Sequence, residues 1–438
     1  MRNLAILLTA TTLAACGGGD TQSVSGTAVS SGTSSGTTTT ANDPYTQFVS
    51  PTVARTFSGV GGSQVMTYNT DDRTASGGTT GFIGDDGQQG YTYAGNSSTV
   101  RSSNITLTYD PRDAIFTLVV KDPKSGANAQ TRFQDPASRT DFFGSRQPQW
   151  GTDDFSGGPF AGTIGENKNV RYLQAGDGDP LSLYLASGSG FVVFGNNNTP
   201  PSVGNAASSA AYQATSFFYE TPGSTGGTKY VSLAGYVRNS FKWQPATLSS
   251  GRTIAQTLLQ IERGAFAYGI QTDNNSVPVT GTGTYTGNML ATMVFNPTLD
   301  TGTPYPNYFQ WLSGTSKTTV NFATGAVGLQ LDAIVGKPQF DLNTTPRLTT
   351  IAAGTTFTAT GTATIDLVRT GGFTGQFQSA RFGATTNGLS PVVNVAGSSI
   401  DGAFFGSTAQ EVGGGFRIVG GNPDERVDII GAFKGKKP

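Results

Sequence analysis

Neighbouring carboxylates are the residues of this 438-residue chain that come nearest, by type and spacing, to a catalytic or metal-binding site. They include Asp71-Asp72, Asp85-Asp86, Asp153-Asp154 and Asp177-Gly178-Asp179. Paired carboxylates can bind Ca²⁺ or flank a glycosidic bond, but such pairs are most often turn residues. The chain contains no histidine, which excludes imidazole bases and histidine-ligated metal or haem. We expect no metal, no cofactor and no enzymatic activity, and keep a carboxylate-pair hydrolase as a third alternative.

The only cysteine, Cys16, ends the sequence Leu13-Ala14-Ala15-Cys16. Residues 1–15 carry Arg2 and then a short apolar run, which is typical of a secretory signal peptide. The four residues resemble the lipobox of bacterial lipoproteins, in which the cysteine becomes the first mature residue and carries lipid, palmitate included. Gly17, not Asp, follows, and in such lipoproteins this pattern implies export to the outer membrane. We expect a lipid anchor at Cys16, the open alternative being a plain signal peptide with a chance cysteine.

Residues 16–44 follow as the lipid-bearing cysteine and a tether. Residues 17–42 are almost entirely Gly, Ser and Thr, a composition that predicts a flexible linker. Its root-mean-square span is about 28 Å, from 5–6 Å × √26. Such a tether would let a folded body stand clear of a membrane surface.

The composition of the whole chain favours an all-β protein. Glycine makes up 61 of 438 residues, and charged residues only 13%. Soluble helical proteins need many Lys, Glu and Arg on their outer faces, so an all-α fold is disfavoured. The net charge of −1, without a basic stripe, indicates no nucleic-acid partner. The basic residues near the end, Lys434, Lys436 and Lys437, are interpreted as a solvated tail.

Residues 273–438 show the period-two alternation of a half-buried antiparallel sheet. Candidate strands lie near 281–295, 308–313, 318–323, 326–335, 356–367, 373–382, 398–405, 411–419 and 427–434. Eight or nine strands with short turns predict a closed, eight-stranded, antiparallel up-and-down β-barrel, with a sandwich as the alternative. Phe404, Phe416 and Phe433 could fill its interior, and Gly413-Gly414 could supply positive φ at a hairpin.

Residues 45–272 are predicted to be a second β-rich region, whose division into one domain or two stays open. Residues 104–109 and 114–121 flank Asp110-Pro111-Arg112-Asp113, which indicates a hairpin. Further candidate strands are 181–185, 191–194, 217–220, 229–237 and 258–269.

An aromatic cluster lies between the first candidate strands of the barrel. Tyr305, Tyr308 and Trp311 occur within eight residues of the sequence PYPNYFQW, residues 304–311. Because Tyr and Trp are enriched at binding hot spots, we predict that these three contact a ligand. The alternative is that they pack beneath the loop.

Several segments of the chain resemble transferrin-binding protein B-like surface lipoproteins. The matching segments are 263–269 (RGAFAYG), Thr272, 277–287 (VPVTGTGTYTG), 400–406 (IDGAFFG), 409–414 (AQEVGG), Phe416 and 430–433 (IGAF). They resemble the junction into that family's barrel and its last hairpin. Residues 230–237 (YVSLAGYV) loosely resemble the family's handle domain, so the resemblance implies that 45–272 is handle-like.

The resemblance also implies a function. Members are lipid-anchored at the outer membrane, on the cell surface, and capture host iron proteins, haem carriers or other nutrient ligands. Many work beside a TonB-dependent receptor. Transferrin binders have two lobes of handle plus barrel, whereas this chain has room for one, which implies a single-lobe relative. A structural or adhesive surface lipoprotein without nutrient cargo is the alternative function.

Overall fold

A computed structural model describes residues 46–71, 96–97, 105–112, 114–121, 126–134, 170–176, 212–220, 222–223, 227–247, 253–296, 308–336, 351–383, 392–420 and 426–438. Cys16, the tether, Tyr305 and the candidate strands at 181–185 and 191–194 lie outside these residues. Helix α1 (Thr46–Val49) is a single turn, and almost all other regular structure is antiparallel strand. Within the described part, no helix is long and apolar enough to cross a membrane.

The first part of the chain forms two sheets. Its strands are β1 (Arg55–Ser58), β2 (Val60–Asp71), β3 (Asn96–Ser97), β4 (Ile105–Asp110), β5 (Ile115–Lys121), β6 (Asn128–Gln134), β7 (Val170–Gly176), β8 (Tyr212–Glu220), β9 (Val231–Thr247) and β10 (Thr253–Gly269). One sheet has the order β1-β4-β5-β6 and the other β3-β2-β10-β9-β8-β7. β4 and β5 are the hairpin that the sequence predicted.

The two sheets pack face to face over an aromatic core, and we call them the N-terminal sandwich. Its buried members are Phe48, Phe57, Ile105, Leu107, Phe116, Leu118, Val120, Phe133, Phe217, Tyr219, Ala234, Tyr236, Phe266 and Tyr268. Alternate residues of β10, such as Phe266 and Tyr268, face this core. Their neighbours Ala265 and Ala267 point to the other face of the six-stranded sheet, where they are also buried. That sheet is therefore covered on both sides.

The second part of the chain closes into a barrel. Its strands are β11 (Thr282–Asn296), β12 (Tyr308–Asn321), β13 (Ala326–Val335), β14 (Thr356–Asp366), β15 (Gly372–Phe382), β16 (Val392–Val393), β17 (Ser399–Phe405), β18 (Glu411–Gly420) and β19 (Arg426–Lys436). The ring runs β11-β12-β13-β14-β15-β17-β18-β19 and returns to β11, while the two-residue β16 adds to the side of β15. The predicted fold class, all-β with an eight-stranded antiparallel barrel, is confirmed.

The barrel interior is filled by side chains, as the alternating pattern predicted. Phe404, Phe416 and Phe433 all belong to its core, with ring-to-ring contacts such as Phe373–Phe404 at 5.6 Å. Inward residues of β13 and β14 are buried and their neighbours exposed or half-buried. A narrow barrel packed in this way leaves ligand binding to its outer surface and its ends.

Two details of the sequence interpretation were wrong. The candidate strands 308–313 and 318–323 are one strand, β12, because Ser316 and Thr318 occupy buried positions and so interrupt the apolar pattern. Gly413 and Gly414 do not supply positive φ: they lie inside β18, and the hairpin before them uses Gly406 and Ala409 instead.

Candidate ligand-binding site

The two ends of the barrel differ in their connections. At one end, which we call the short-turn end, 322–325 join β12 to β13, 367–371 join β14 to β15, and 406–410 join β17 to β18. At the other end, the long-loop end, 297–307 join β11 to β12, 336–355 join β13 to β14, and 383–398 join β15 to β17. The shorter connection 421–425 completes the long-loop end. Long connections on a β scaffold are the usual carriers of recognition, so the long-loop end is the candidate binding end.

The predicted aromatic residues are divided by the structure. Tyr305 belongs to the 297–307 connection, outside the described residues, and Tyr308 is the first residue of β12, opposite Phe295. Trp311 lies opposite Thr292 and alternates with the core residue Leu312, which places Trp311 on the outer face of the barrel wall. Trp311 is nevertheless completely buried, at 0% exposure. The ligand-contact role of the three residues stays a prediction.

Gln310, which the sequence analysis did not select, holds the base of the long-loop end. Its side-chain amide donates hydrogen bonds to the carbonyl oxygens of Gly336 (3.0 Å) and Ile351 (2.7 Å). These carbonyls flank the 337–350 segment, so a buried side chain of β12 fixes both ends of the next connection. The signal in the sequence is a single amide within an aromatic run, Tyr308-Phe309-Gln310-Trp311.

One wall of the barrel packs against the N-terminal sandwich. β17, β18, β19 and β11 contact β2, β9 and β10, and we call this contact the sandwich–barrel interface. Gly413 lies within it: a Cβ there would stand 2.7 Å from Val231 Cγ2 and 3.1 Å from Ala267 Cβ. Glycine is therefore required at position 413, because the two sheets approach too closely there for a side chain.

A buried polar network crosses the interface toward the long-loop end of the barrel. The Asp428 carboxylate of β19 receives a hydrogen bond from Gln64 Nε2 at 2.8 Å and pairs with Arg417 at 2.9 Å and Arg263 at 3.3 Å. Arg263, itself 0% exposed, also donates to the carbonyl and hydroxyl oxygens of Thr292 at 2.8 and 2.7 Å. Burial alone would raise the pKa of Asp428, but Arg263, Arg417 and Gln64 together hold that pKa below its ordinary value.

A second polar contact joins the two parts near the short-turn end. Glu411 of β18 accepts hydrogen bonds from the backbone N–H groups of Lys229 (2.5 Å), Tyr230 (2.7 Å) and Val231 (3.0 Å). Burial raises the pKa of Glu411, although these three donors and Lys434 act in the opposite direction.

Lys434 corrects one interpretation of the sequence. It is 2% exposed and pairs with Glu220 of β8 at 2.8 Å, so it is not part of a solvated tail. Lys437 is exposed, as predicted. Lys434 lies on the outward face of β19, and that face is covered by the sandwich.

Among the described residues, no group of three or more His, Cys, Asp or Glu is arranged to hold a metal ion. Asp71 is the last residue of β2, and the other sequence-selected carboxylate pairs lie outside the described ranges.

Comparison with known proteins agrees with the barrel. Residues 277–437 match the family described as C-lobe and N-lobe β-barrels of transferrin-binding protein B. No match was found among curated protein sequences. Solved structures that are similar include two variants of transferrin-binding protein B from Haemophilus parasuis, each 14% identical, covering 88% of this chain and 76% of that one, with TM-scores of 0.25 and 0.26.

A third similar structure is an intact Ap-TbpB with N and C lobes, 14% identical, covering 88% of this chain and 78% of that one, with a TM-score of 0.26. The family match and the closed eight-stranded ring concern the same residues. Residues 277–437 thus form a transferrin-binding protein B-like β-barrel domain.

Proposed function

We propose that this chain is an outer-membrane surface lipoprotein, anchored through Cys16, that captures an extracellular protein or nutrient carrier and passes it to a TonB-dependent receptor. The observation that carries the proposal is the family's barrel with long connections gathered at one end. The lipobox-like sequence at Cys16 supports the anchor. The barrel interior is filled by core side chains, which supports binding of a macromolecular ligand at the surface and not of a small molecule inside the barrel.

Within the long-loop end, we assign the ligand contact to Tyr305 and Tyr308. A buried Trp311 could contact a ligand only if its covering residues moved, so its proposed role is to support the start of β12. This division of roles predicts different effects of substitution: changing the two tyrosines should impair capture, whereas changing the tryptophan should lower stability.

The test is a retention experiment with the soluble body, residues 43–438, which includes every described residue. The body is immobilised and exposed to detergent-solubilised outer membranes of nutrient-starved source cells, and the retained proteins are identified by mass spectrometry. Retention of a TonB-dependent receptor supports cargo capture and hand-off. Retention of extracellular polymers or adhesion targets without any receptor would favour the structural or adhesive alternative.

Variants locate the contact. Tyr305→Ala with Tyr308→Ala should abolish retention of the captured protein, whereas Val368→Ala at the short-turn end serves as the matched surface control. Equal retention by both variants would refute the assignment to the tyrosines while leaving capture itself intact.

A further inference from the structure

The short-turn end is one continuous surface built from four segments. Asn274 Nδ2 donates to the carbonyl oxygen of Leu367 at 2.8 Å, which joins the linker before β11 to the β14–β15 turn. The Phe322 N–H donates to Gly281, so the β12–β13 turn joins the same linker. The Lys437 ammonium lies 5.4 Å from the ring centroid of Tyr285 and 5.6 Å from that of Phe322, which adds the last residues of the chain.

The chain enters the folded body beside this same end. Phe48 of α1 packs edge-on against Phe57 at 5.3 Å and Tyr268 at 5.8 Å. Tyr268 lies two residues before Ile270, whose carbonyl oxygen accepts a hydrogen bond from Gly406 in the β17–β18 turn. β2 then runs from Val60, opposite Ala267 of β10, toward the long-loop end. Farther in that direction, Arg263 of β10 donates a hydrogen bond to Thr292 of the barrel strand β11. The segment 17–45 therefore joins the body at the short-turn end.

The short-turn end also carries the most exposed apolar side chains of the described part. Among the described residues, five large apolar side chains are exposed, and the two with the largest exposed fractions, Val368 at 97% and Val279 at 76%, lie at the short-turn end. Arg369 and Lys437 are exposed on the same surface, and Lys229 lies beside it. Apolar tips with neighbouring cations suit a surface of anionic lipid headgroups.

We propose that the short-turn end faces the lipid surface and that the long-loop end points away from it. This orientation rests on the proposed anchor at Cys16. The height of the barrel follows from β11, fifteen residues long. At about 3.3 Å per residue and a strand tilt near 40°, that length gives about 38 Å. The root-mean-square span predicted for residues 17–42, about 28 Å, is shorter than this height, so an inverted body would require an above-average extension of that segment.

The test uses full-length lipidated protein in vesicles of phosphatidylethanolamine and phosphatidylglycerol. Lipidation consumes the Cys16 thiol, so an added cysteine becomes the only free thiol of the chain. Ala323→Cys labels the short-turn end and Ala353→Cys labels the long-loop end, both at exposed turn positions. Energy transfer from a fluorophore on each cysteine to a headgroup-labelled lipid should be strong for the first and several-fold weaker for the second. Equal or reversed transfer would overturn the orientation.

Two further measurements separate the parts of the proposal. If the protein fails to float with vesicles and Cys16 itself takes the label, the anchor is refuted and the orientation with it. In the Ala323→Cys background, Val279→Ser with Val368→Ser should reduce transfer, whereas Val392→Ser, an exposed valine beside β15, should leave transfer unchanged. Unchanged transfer in the double variant would refute the lipid contact of the valines.

Discussion

The charge of Asp428 is the perturbation that tests the sandwich–barrel interface most directly. Asp428→Asn keeps the shape of the side chain but leaves Arg263 buried without its anionic partner. Breaking a buried ion pair by removing one charge typically costs about 3–5 kcal/mol. Arg417 is 20% exposed and can turn to solvent, so the cost falls almost entirely on Arg263. We expect the free energy of unfolding to fall by about 3 kcal/mol or more.

The assay is urea unfolding of the soluble body, followed by tryptophan fluorescence. Trp243 lies on β9 of the sandwich and Trp311 on β12 of the barrel, so both parts contain a reporter. Asp332→Asn is the matched control, because Asp332 is exposed on β13 and should change stability by less than about 0.5 kcal/mol. If Asp428→Asn lost no more than the control, the network would not hold the interface together.

The same residue predicts a dependence on pH. Because the folded pKa of Asp428 is lowered, its contribution is fully present above the pKa of the unfolded carboxyl, about 3.9. The contribution is lost as the pH falls below that value toward the folded pKa. The stability difference between the parent and Asp428→Asn should therefore be constant near neutral pH and shrink below about pH 4.

Three further substitutions test the assignments of individual residues. Glu411→Gln should lower the unfolding free energy by about 1–3 kcal/mol at neutral pH, and the loss should grow on acidification, because a raised folded pKa means that the folded parent gains stability as its carboxyl is protonated. Gly413→Ala should cost about 1–3 kcal/mol in the same urea assay, whereas Gly397→Ala, with only ordinary contacts at 3.5 Å, should be nearly neutral. Trp311→Ala should cost about 3–5 kcal/mol by calorimetry, and a thermally unchanged variant would show that the indole is not a packing residue.

The barrel could be predicted from the sequence because its free wall alternates cleanly. In β13, buried Leu329 and Leu331 alternate with the exposed or half-buried Gly328, Gln330 and Asp332, and the predicted bounds 326–335 are those observed. Solvent on one side and side chains on the other impose a period of two. This alternation can be recognised in the sequence without any knowledge of contacts beyond the neighbouring strands.

The other wall could not be predicted in the same way, because it is buried on both faces. In β18, positions from Glu411 to Phe416 are all buried, so the period-two signal is absent there. Gly413 and Gly414 were attributed to turn geometry, although Gly413 is required by the closeness of β9 and β10, and Gly414 by Asp401 and Phe433 of the barrel itself. Isolated charged residues within apolar strands, such as Asp428 and Lys434, are the signal that could have indicated an interface.

The interface also limits where this protein can bind a ligand. β17, β18, β19 and β11 are covered by the sandwich, which leaves the wall from β12 to β15 and the two ends. The free wall is lined by small hydroxyl and amide side chains, among them Thr360, Ser379 and Gln378, which hydrogen-bond within the sheet or to a neighbouring strand. The short-turn end is joined to the sandwich and to the start of the folded body. By this reasoning the long-loop end, held at its base by Gln310, is the part of the barrel where sequence can vary without disturbing the interface, and a receptor or cargo should be sought there.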